Sequence, residues 1–248
     1  MQVIPLSEGS FTIDKSKLFI PFDPANDDFQ KRTPGSLLVE IQPFVIISSK
    51  DILILDTGLG FTDADGMMQI HKNLLRNGIQ PSEVTKVLIS HLHKDHAGGI
   101  SFDKGNSSSL SFPNANYYIN KNEFESAINK DSPSYKIDDF KILIQNEQLH
   151  LIHDNGVIDN YIKYLVTGGH SPYHQVFWIV ENGEKIFFGG DVAPQLQQMK
   201  SRFVAKYDFD GKKSMELRQK WWKQGAEEKW TFLFYHDINA PIYKPIAA

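Results

Sequence analysis

Residues 90 to 99 read Ser-His-Leu-His-Lys-Asp-His-Ala-Gly-Gly and follow the apolar run Val87-Leu88-Ile89 without a break. Nothing else in the chain constrains it as strongly, because an apolar strand must deliver His91, His93, Asp95 and His96 together at one of its ends. In an extended segment alternate side chains point the same way, so His91 and His93 can reach one metal together. Asp95 and His96 lie past the turn and can address a second ion beside the first. Neutral imidazole and carboxylate are ligands that zinc and similar borderline ions accept. An exposed polar loop after a strand is the plainer alternative. The chain has nine histidines in 248 residues, and chance would rarely place three of them in one hexapeptide, so the spacing favours a metal site.

Three further strand ends each offer one residue of ligand type. Tyr164-Leu165-Val166 precedes Thr167-Gly168-Gly169-His170, Ile186-Phe187-Phe188 precedes Gly189-Gly190-Asp191, and Phe232-Leu233-Phe234-Tyr235 precedes His236. Paired glycines let the backbone turn sharply and approach closely. Taken singly, each is an ordinary strand-end histidine or a turn. Four such ends in order along one chain form a joint pattern that the plain reading explains poorly. There is no cysteine, which excludes disulfides and thiolate ligands and leaves His, Asp, Glu or water to hold any ion.

The surrounding pattern alternates strands and helices. Strands are expected early, around Val3 to Leu6 and Phe11 to Ile13, then over 36–48 and 51–56 with a turn at 49–51. Residues 21–35, rich in proline and polar residues, read as an irregular loop. There Phe19, Phe22 and Phe29 either line an apolar pocket mouth or pin the loop to the core, and pinning is preferred. Apolar spacing predicts helices over 67–77, near 121–129, near 138–146 and over 213–228. Further strands are expected at 86–90, 116–120, 149–153, 161–167, 175–180, 185–188 and 230–235, with a hairpin turn at Asn182-Gly183. Residues 105–111 read as a serine-rich surface loop. With no linker, the order implies two packed sheets with helices outside, as a single domain spanning 1–248.

Composition removes several functions. Net charge is −4, without the basic stripe that nucleic acid would require. No run approaches the roughly 20 apolar residues of a membrane span. The first ten residues have neither a basic start nor an apolar core, so they do not read as a signal peptide, and a cytoplasmic location is expected. The expected partner is a small-molecule substrate, with neither nucleic acid nor membrane. A homodimer stays open, with Trp221-Trp222 as core, interface or pocket wall.

His-x-His-x-Asp-His followed by Gly-Gly, then Gly-His-x-Pro-x-His, then Gly-Asp, then a late His resembles the metallo-β-lactamase-fold hydrolases, over residues 52 to 236. The resemblance implies an α+β fold, a four-layer αββα sandwich with metals at one edge of two sheets. It places His91, His93 and His170 around one ion and Asp95, His96 and His236 around a second, with Asp191 bridging. It makes His174 a support of the metal loop and Asp56 a brace of the histidine loop, although Asp56 also reads as a simple strand-end turn. His71 reads as a solvated helix residue, and His150 and His153 as structural.

Five imidazoles and two carboxylates suit two divalent ions about 3.5–4 Å apart, with water or hydroxide between them as nucleophile. Zinc is preferred, and manganese, iron or cobalt fit the same donors. Asp95 is then the residue to orient the water and carry its proton. The expected activity is metal-dependent hydrolysis of a small ester-like substrate. Chain length, the early strand pair and the short tail resemble lactonase-like and organophosphate-hydrolase-like members. A lactone of the acyl-homoserine type is the first choice, with organophosphate, aryl-ester or thioester hydrolysis as alternatives. A non-catalytic metal-binding role is the alternative of another class. Lactonases of this kind commonly carry a tyrosine three residues after the bridging aspartate, where this chain has Pro194. Tyr173 and Tyr235 are candidate substitutes. The family's usual proline before Gly-His is Gly168 here, which is expected to loosen that loop.

Overall fold

The computed structural model describes residues 1–62, 64–104 and 107–245. The chain opens with β1 (Gln2–Pro5), β2 (Gly9–Ile13), β3 (Phe19–Phe22), β4 (Leu37–Ile41), β5 (Phe44–Ile47) and β6 (Ile52–Leu55). Then come α1 (Gln69–Arg76), β7 (Lys86–Leu88), the one-turn α2 (Lys94–Ala97), β8 (Ser101–Lys104), β9 (Ser107–Leu110), β10 (Asn116–Asn120), α3 (Lys121–Ile128) and β11 (Leu149–Ile152). The last part holds β12 (Gly156–Ile158), β13 (Ile162–Val166), β14 (Gln175–Glu181), β15 (Glu184–Phe188), α4 (Leu196–Met199), α5 (Gly211–Glu227), β16 (Thr231–Leu233) and β17 (Ile242–Tyr243). Among the described residues no helix is long and apolar enough to cross a membrane.

Two six-stranded sheets form the centre, in the orders β1-β5-β6-β7-β10-β11 and β12-β13-β14-β15-β16-β17. Strand alternation sends successive side chains to opposite faces, and that sorts the apolar residues into three cores. Phe44, Ile46, Leu53, Leu55 and Leu88 of the first sheet meet Ile162, Phe177, Ile179, Ile186 and Phe188 of the second between the sheets. The opposite face of the first sheet, with Val45, Ile54, Val87 and Tyr117, is covered by Ile70 and Leu74 of α1 and Phe124 of α3. On the far side, Val176, Trp178, Phe187 and Phe232 pack under Trp221 of α5. The layers therefore run helix, sheet, sheet, helix, the αββα sandwich expected. Each large apolar side chain so buried stabilises the fold by about 1.5–3 kcal/mol.

Several boundaries differ from expectation. The strand expected over 36–48 is two, because Gln42-Pro43 interrupts it; β4 joins β2 and β3 in a small sheet while β5 belongs to the first large one. Proline has no N–H for a ladder. Residues 19–22, partly inside the expected loop, form the edge strand β3 paired with β2. The serine-rich segment belongs to the β8–β9 hairpin, with positions 105 and 106 outside the described residues. The helix expected near 138–146 is instead two 3-10 turns, Ile137–Asp139 and Lys141–Leu143. His71 is half-buried, with Nε2 2.9 Å from the Ser111 carbonyl and its ring edge-on to Phe102 and Phe112. Trp221 is core, against Phe187, and Trp222 stacks on Tyr243.

β6 and β7 pair in parallel, as do β15 and β16, so their carboxyl ends face one edge of the sandwich, where α/β sheets commonly bind ligands. Residues 57–60 pack tightly there under the histidine loop. A Cβ on Gly99 would come within 2.0 Å of the Thr57 carbonyl oxygen, so only glycine permits this approach. Beneath lies Glu8, whose Oε2 accepts the Leu59 N–H at 2.6 Å while its buried Oε1 has no partner. Burial pushes its pKa from the ordinary 4.5 up to about 8, against backbone hydrogen bonds that lower it. The folded state thus keeps a proton that the unfolded chain releases. The contribution is fully present below 4.5 and is lost as pH rises through about 8. Unfolding free energy should fall across that window by something on the order of 4 kcal/mol, and Glu8→Gln should abolish this part of the slope. Urea unfolding on both sides of the window checks it; an identical slope in the variant would refute it.

Candidate metal centre

β7 ends at Leu88, and after a bend at Ser90 the chain reaches His93, extended at φ −63 and ψ 146 as the N-cap of α2. From Lys94 it is helical. This switch divides the motif: His91 and His93 lie before the helical turn, Asp95 and His96 within it. His170 follows β13, Asp191 sits in a 3-10 turn after β15, and His236 follows β16. All seven expected residues come together. His93 is half-buried and the other six are buried.

Their donor atoms form three overlapping groups, His91/His93/His170, His91/His96/Asp191 and Asp95/His96/His236, each with atoms within 4.8 Å of one another. Asp191 faces both sides. Its Oδ2 is 3.1 Å from His170 Nε2, and its Oδ1 is 3.1 Å from His96 Nε2 and 2.9 Å from His236 Nε2. His170 Nε2 lies 3.2 Å from His93 Nδ1. Asp95 Oδ2 is 3.6 Å from Nε2 of both His96 and His236. Ligands at about 2.0–2.1 Å from a tetrahedral ion sit about 3.3–3.4 Å apart, close to these separations.

The other ring nitrogens explain the orientation. His96 Nδ1 is 2.7 Å from Asp56 Oδ2, His170 Nδ1 2.9 Å from Asp208 Oδ1, and His236 Nδ1 2.7 Å from the Glu40 carbonyl oxygen. Each acceptor draws the proton to Nδ1, which points the Nε2 lone pair into the centre. Asp56 also accepts the Ser90 N–H at 2.7 Å and the Ser90 hydroxyl at 2.6 Å. Ser90 Oγ in turn lies 3.1 Å from His91 Nδ1. One buried carboxylate thereby orients two imidazoles, and the bracing reading of Asp56 is the one the geometry supports. His174 accepts the Asp191 N–H through Nε2 at 3.1 Å, a support as expected.

Among the described residues, His91 Nε2, His96 Nε2 and Asp191 Oδ1 are buried without a hydrogen-bond partner. Lone pairs converging at such distances repel unless a proton or a cation lies between them. Burial opposes protonation of His96 and His236, yet Asp191 and Asp95 outweigh it and raise both pKa values. Asp191 would be raised by burial, but His236, His96 and His170 hold it well below the carboxylate range. Burial and neighbouring imidazoles push His91 and His93 down, keeping their lone pairs available at neutral pH. The donor set therefore fits divalent ions, which would displace the protons on His96 and His236.

A cavity of about 560 Å³ opens over these residues. Ile13, Phe19, Val39 and Phe203 line its apolar wall, and Tyr135 and Tyr207 its polar side. Phe19 thus faces the pocket, against the preferred expectation, whereas Phe22 is buried edge-on to Phe29. Tyr235 is committed elsewhere, donating to the Asp95 carbonyl oxygen at 2.6 Å. Gly168 adopts φ +57, a conformation closed to proline; its place is a specific turn rather than a loosened one. Asp208 went unnoticed in the sequence. It lies in a polar stretch without periodicity, and only the fold brings it to His170.

The sequence pattern described as the metallo-beta-lactamase superfamily matches residues 40–224. The chain belongs to this superfamily and is a metal-dependent hydrolase, and the family implies divalent metal ions. A curated relative, the N-acyl homoserine lactonase AiiA of Bacillus thuringiensis subsp. kurstaki, is 22% identical over 231 residues, covering 84% of this chain and 85% of the relative. The N-acyl homoserine lactonase AttM of Agrobacterium fabrum is 28% identical over 137 residues, 50% of this chain and 47% of that one. Among solved structures, a probable metal-dependent hydrolase from Staphylococcus aureus superposes with a TM-score of 0.77 at 21% identity, covering 99% of this chain and 92% of that one. The dizinc quorum-quenching lactonase AidC gives 0.69 at 22%, with 97% and 88% covered.

Proposed function

We propose that the chain acts as one hydrolase domain with a dinuclear centre, cleaving a small ester-like substrate, first among them a lactone of the acyl-homoserine type. The observation that carries this is Asp191, whose two oxygens face separate histidine groups. His91, His93 and His170 would hold one ion, Asp95, His96 and His236 the other, with Asp191 shared. Zinc is the preferred occupant. Bound divalent ions supply Lewis acidity, lowering the pKa of water toward ~7 and polarising the substrate carbonyl. Asp95 lines the cavity and orients the attacking water. It takes one proton from that water as the new carbon–oxygen bond forms, and returns it to the leaving oxygen as the old bond breaks. The apolar wall holds the acyl portion and excludes competing water. The lactonase relatives support the lactone choice.

The test pairs metal content with hydrolysis of acyl-homoserine lactones, p-nitrophenyl esters, phosphotriesters and thioesters, with and without chelator. Two ions per chain and chelator-sensitive lactone opening are expected. Bound ions without hydrolysis of any substrate would favour a binding role instead. Asp95→Asn should retain much of the metal yet lower kcat by about 10²–10⁴-fold; a rate near that of the unaltered protein would remove Asp95 from the proton transfer.

A further inference from the structure

The cavity wall carries a feature that a neutral lactone does not require. Lys17, Lys94 and Lys130 all line it, from the β2–β3 turn, the first residue of α2 and the segment after α3. Lys94 follows His93 directly, and Lys17 is near enough for its charge to act on both. Lys130 Nζ lies 4.9 Å from the centroid of Tyr135, whose ring is 4.7 Å from that of His93.

Nearby lysines are neutralised: Lys136 pairs with Asp139 at 2.8 Å, Lys141 with Asp138 at 2.6 Å and Lys121 with Glu125 at 3.6 Å. Among the described residues no carboxylate lies within ion-pair distance of Lys17, Lys94 or Lys130, although Asp95 acts on Lys94 and Lys130 on Glu123 from further away. Asp139, which acts on Lys94, is already engaged by Lys136. Lys94 and Lys130 instead lie over the faces of Phe19, at 5.8 Å, and Tyr135. Such contacts orient an ammonium without cancelling its charge.

Lys17 and Lys94 repel one another, and a chain of net charge −4 has no general reason to bring three cations to one cavity. The acids of the same cavity are committed elsewhere: Asp95 and Asp191 face the histidines, and Asp208 holds His170.

We infer that Lys17, Lys94 and Lys130 form an anion subsite, and that the substrate is an ester or thioester whose acyl portion ends in a carboxylate or phosphate. This rests on the hydrolase reading above and, within it, sets an ester or thioester with an anionic acyl end ahead of the neutral lactone. The lysines hold the anionic end while the scissile carbonyl lies over the histidine cluster. Water oxygen bonds to the acyl carbon, the bond to the leaving oxygen or sulfur breaks, and that atom departs with one of the water protons. The product acid carries two anionic groups. Ammonium groups are point charges without the planar fork of arginine, so either anion suits them.

The decisive comparison is mono-p-nitrophenyl glutarate against p-nitrophenyl valerate, acyl groups of equal chain length differing in one carboxylate. The half-ester should be preferred in kcat/KM by about tenfold or more, chiefly through KM, and the preference should shrink at about 0.5 M salt. A phosphonate analogue of the half-ester separates the phosphate source from the carboxylate. In Lys17→Gln/Lys94→Gln/Lys130→Gln the ratio of the two kcat/KM values should fall to about one, and Lys130→Gln alone, at an exposed position, should lower it partly. A ratio near one in the unaltered protein overturns the proposal. So does a preference that survives the triple substitution, since the anion would then be held by the metal centre. If neither ester is hydrolysed, the acyl-ester part of the proposed function fails instead, and not the hydrolase class. Calorimetric binding of glutarate, with and without the three lysines, then decides the subsite alone: equal binding overturns it, and binding lost with the lysines upholds it.

Discussion

Asp191→Ala is expected to lower turnover by about 10³-fold or more while the sandwich still folds. The side chain lies in a 3-10 turn beyond β15 and belongs to none of the three apolar cores, so its loss opens no cavity between layers. What disappears is, among the described residues, the one carboxylate with one oxygen near His170 and the other near His96 and His236. Metal content should fall with it, because on the dinuclear proposal each ion would lose a ligand and the pair its link. Elemental analysis after dialysis, circular dichroism and ester hydrolysis read these effects separately. A variant with full metal content and ordinary turnover would remove Asp191 from the centre.

The second large effect belongs to a residue that touches no substrate. Asp56→Ala strips the partners from the Ser90 N–H, the Ser90 hydroxyl and His96 Nδ1, all buried and all within 2.7 Å of the carboxylate. Breaking such a buried network by removing the charged partner costs about 3–5 kcal/mol. Metal affinity should fall about 10–100-fold as well, since His96 and, through Ser90, His91 lose their orientation. Asp56→Asn should be milder in stability, because asparagine tolerates the left-handed φ of +54 that this position adopts, yet it should still weaken metal binding. Urea unfolding of metal-free protein and chelator competition measure the two terms. Unchanged values in both would show that the histidine loop does not depend on Asp56.

The gathering of the seven candidate residues was legible because they follow strands whose apolar alternation is plain, as with Phe187-Phe188 before Asp191 or Val87-Leu88 before His91. The sheets themselves follow from the same period. Pro43 was an available signal for splitting the strand over 36–48, since a proline within a strand run marks an edge or a break. The segment 138–146 carries helix-like spacing, yet Phe140 and Leu143 reach the core through two tight turns. Asp208 and the Glu40 carbonyl oxygen were invisible for a different reason. Their role is contact with His170 and His236 across long sequence separation, and no local pattern encodes it. The lysines at the cavity were hidden likewise, because 17, 94 and 130 become neighbours only in the fold.

The two sheets are tied at the ligand edge by bonds of the chain itself. Gln175 donates its backbone N–H to the Ser90 carbonyl oxygen at 2.9 Å and its side-chain amide to that of Ile89 at 2.8 Å, and Tyr235 reaches the Asp95 carbonyl oxygen. The ordering of the donors is therefore accomplished during folding. An ion binding there would meet donors already placed, and its affinity would be spared the entropy of gathering them. The metal-free protein should consequently remain folded and reload rapidly, unlike small domains whose folding waits for their zinc. A site so preset would have little freedom to reshape itself around ions of different size, and the separation of its walls would then act as a filter on which metal is retained.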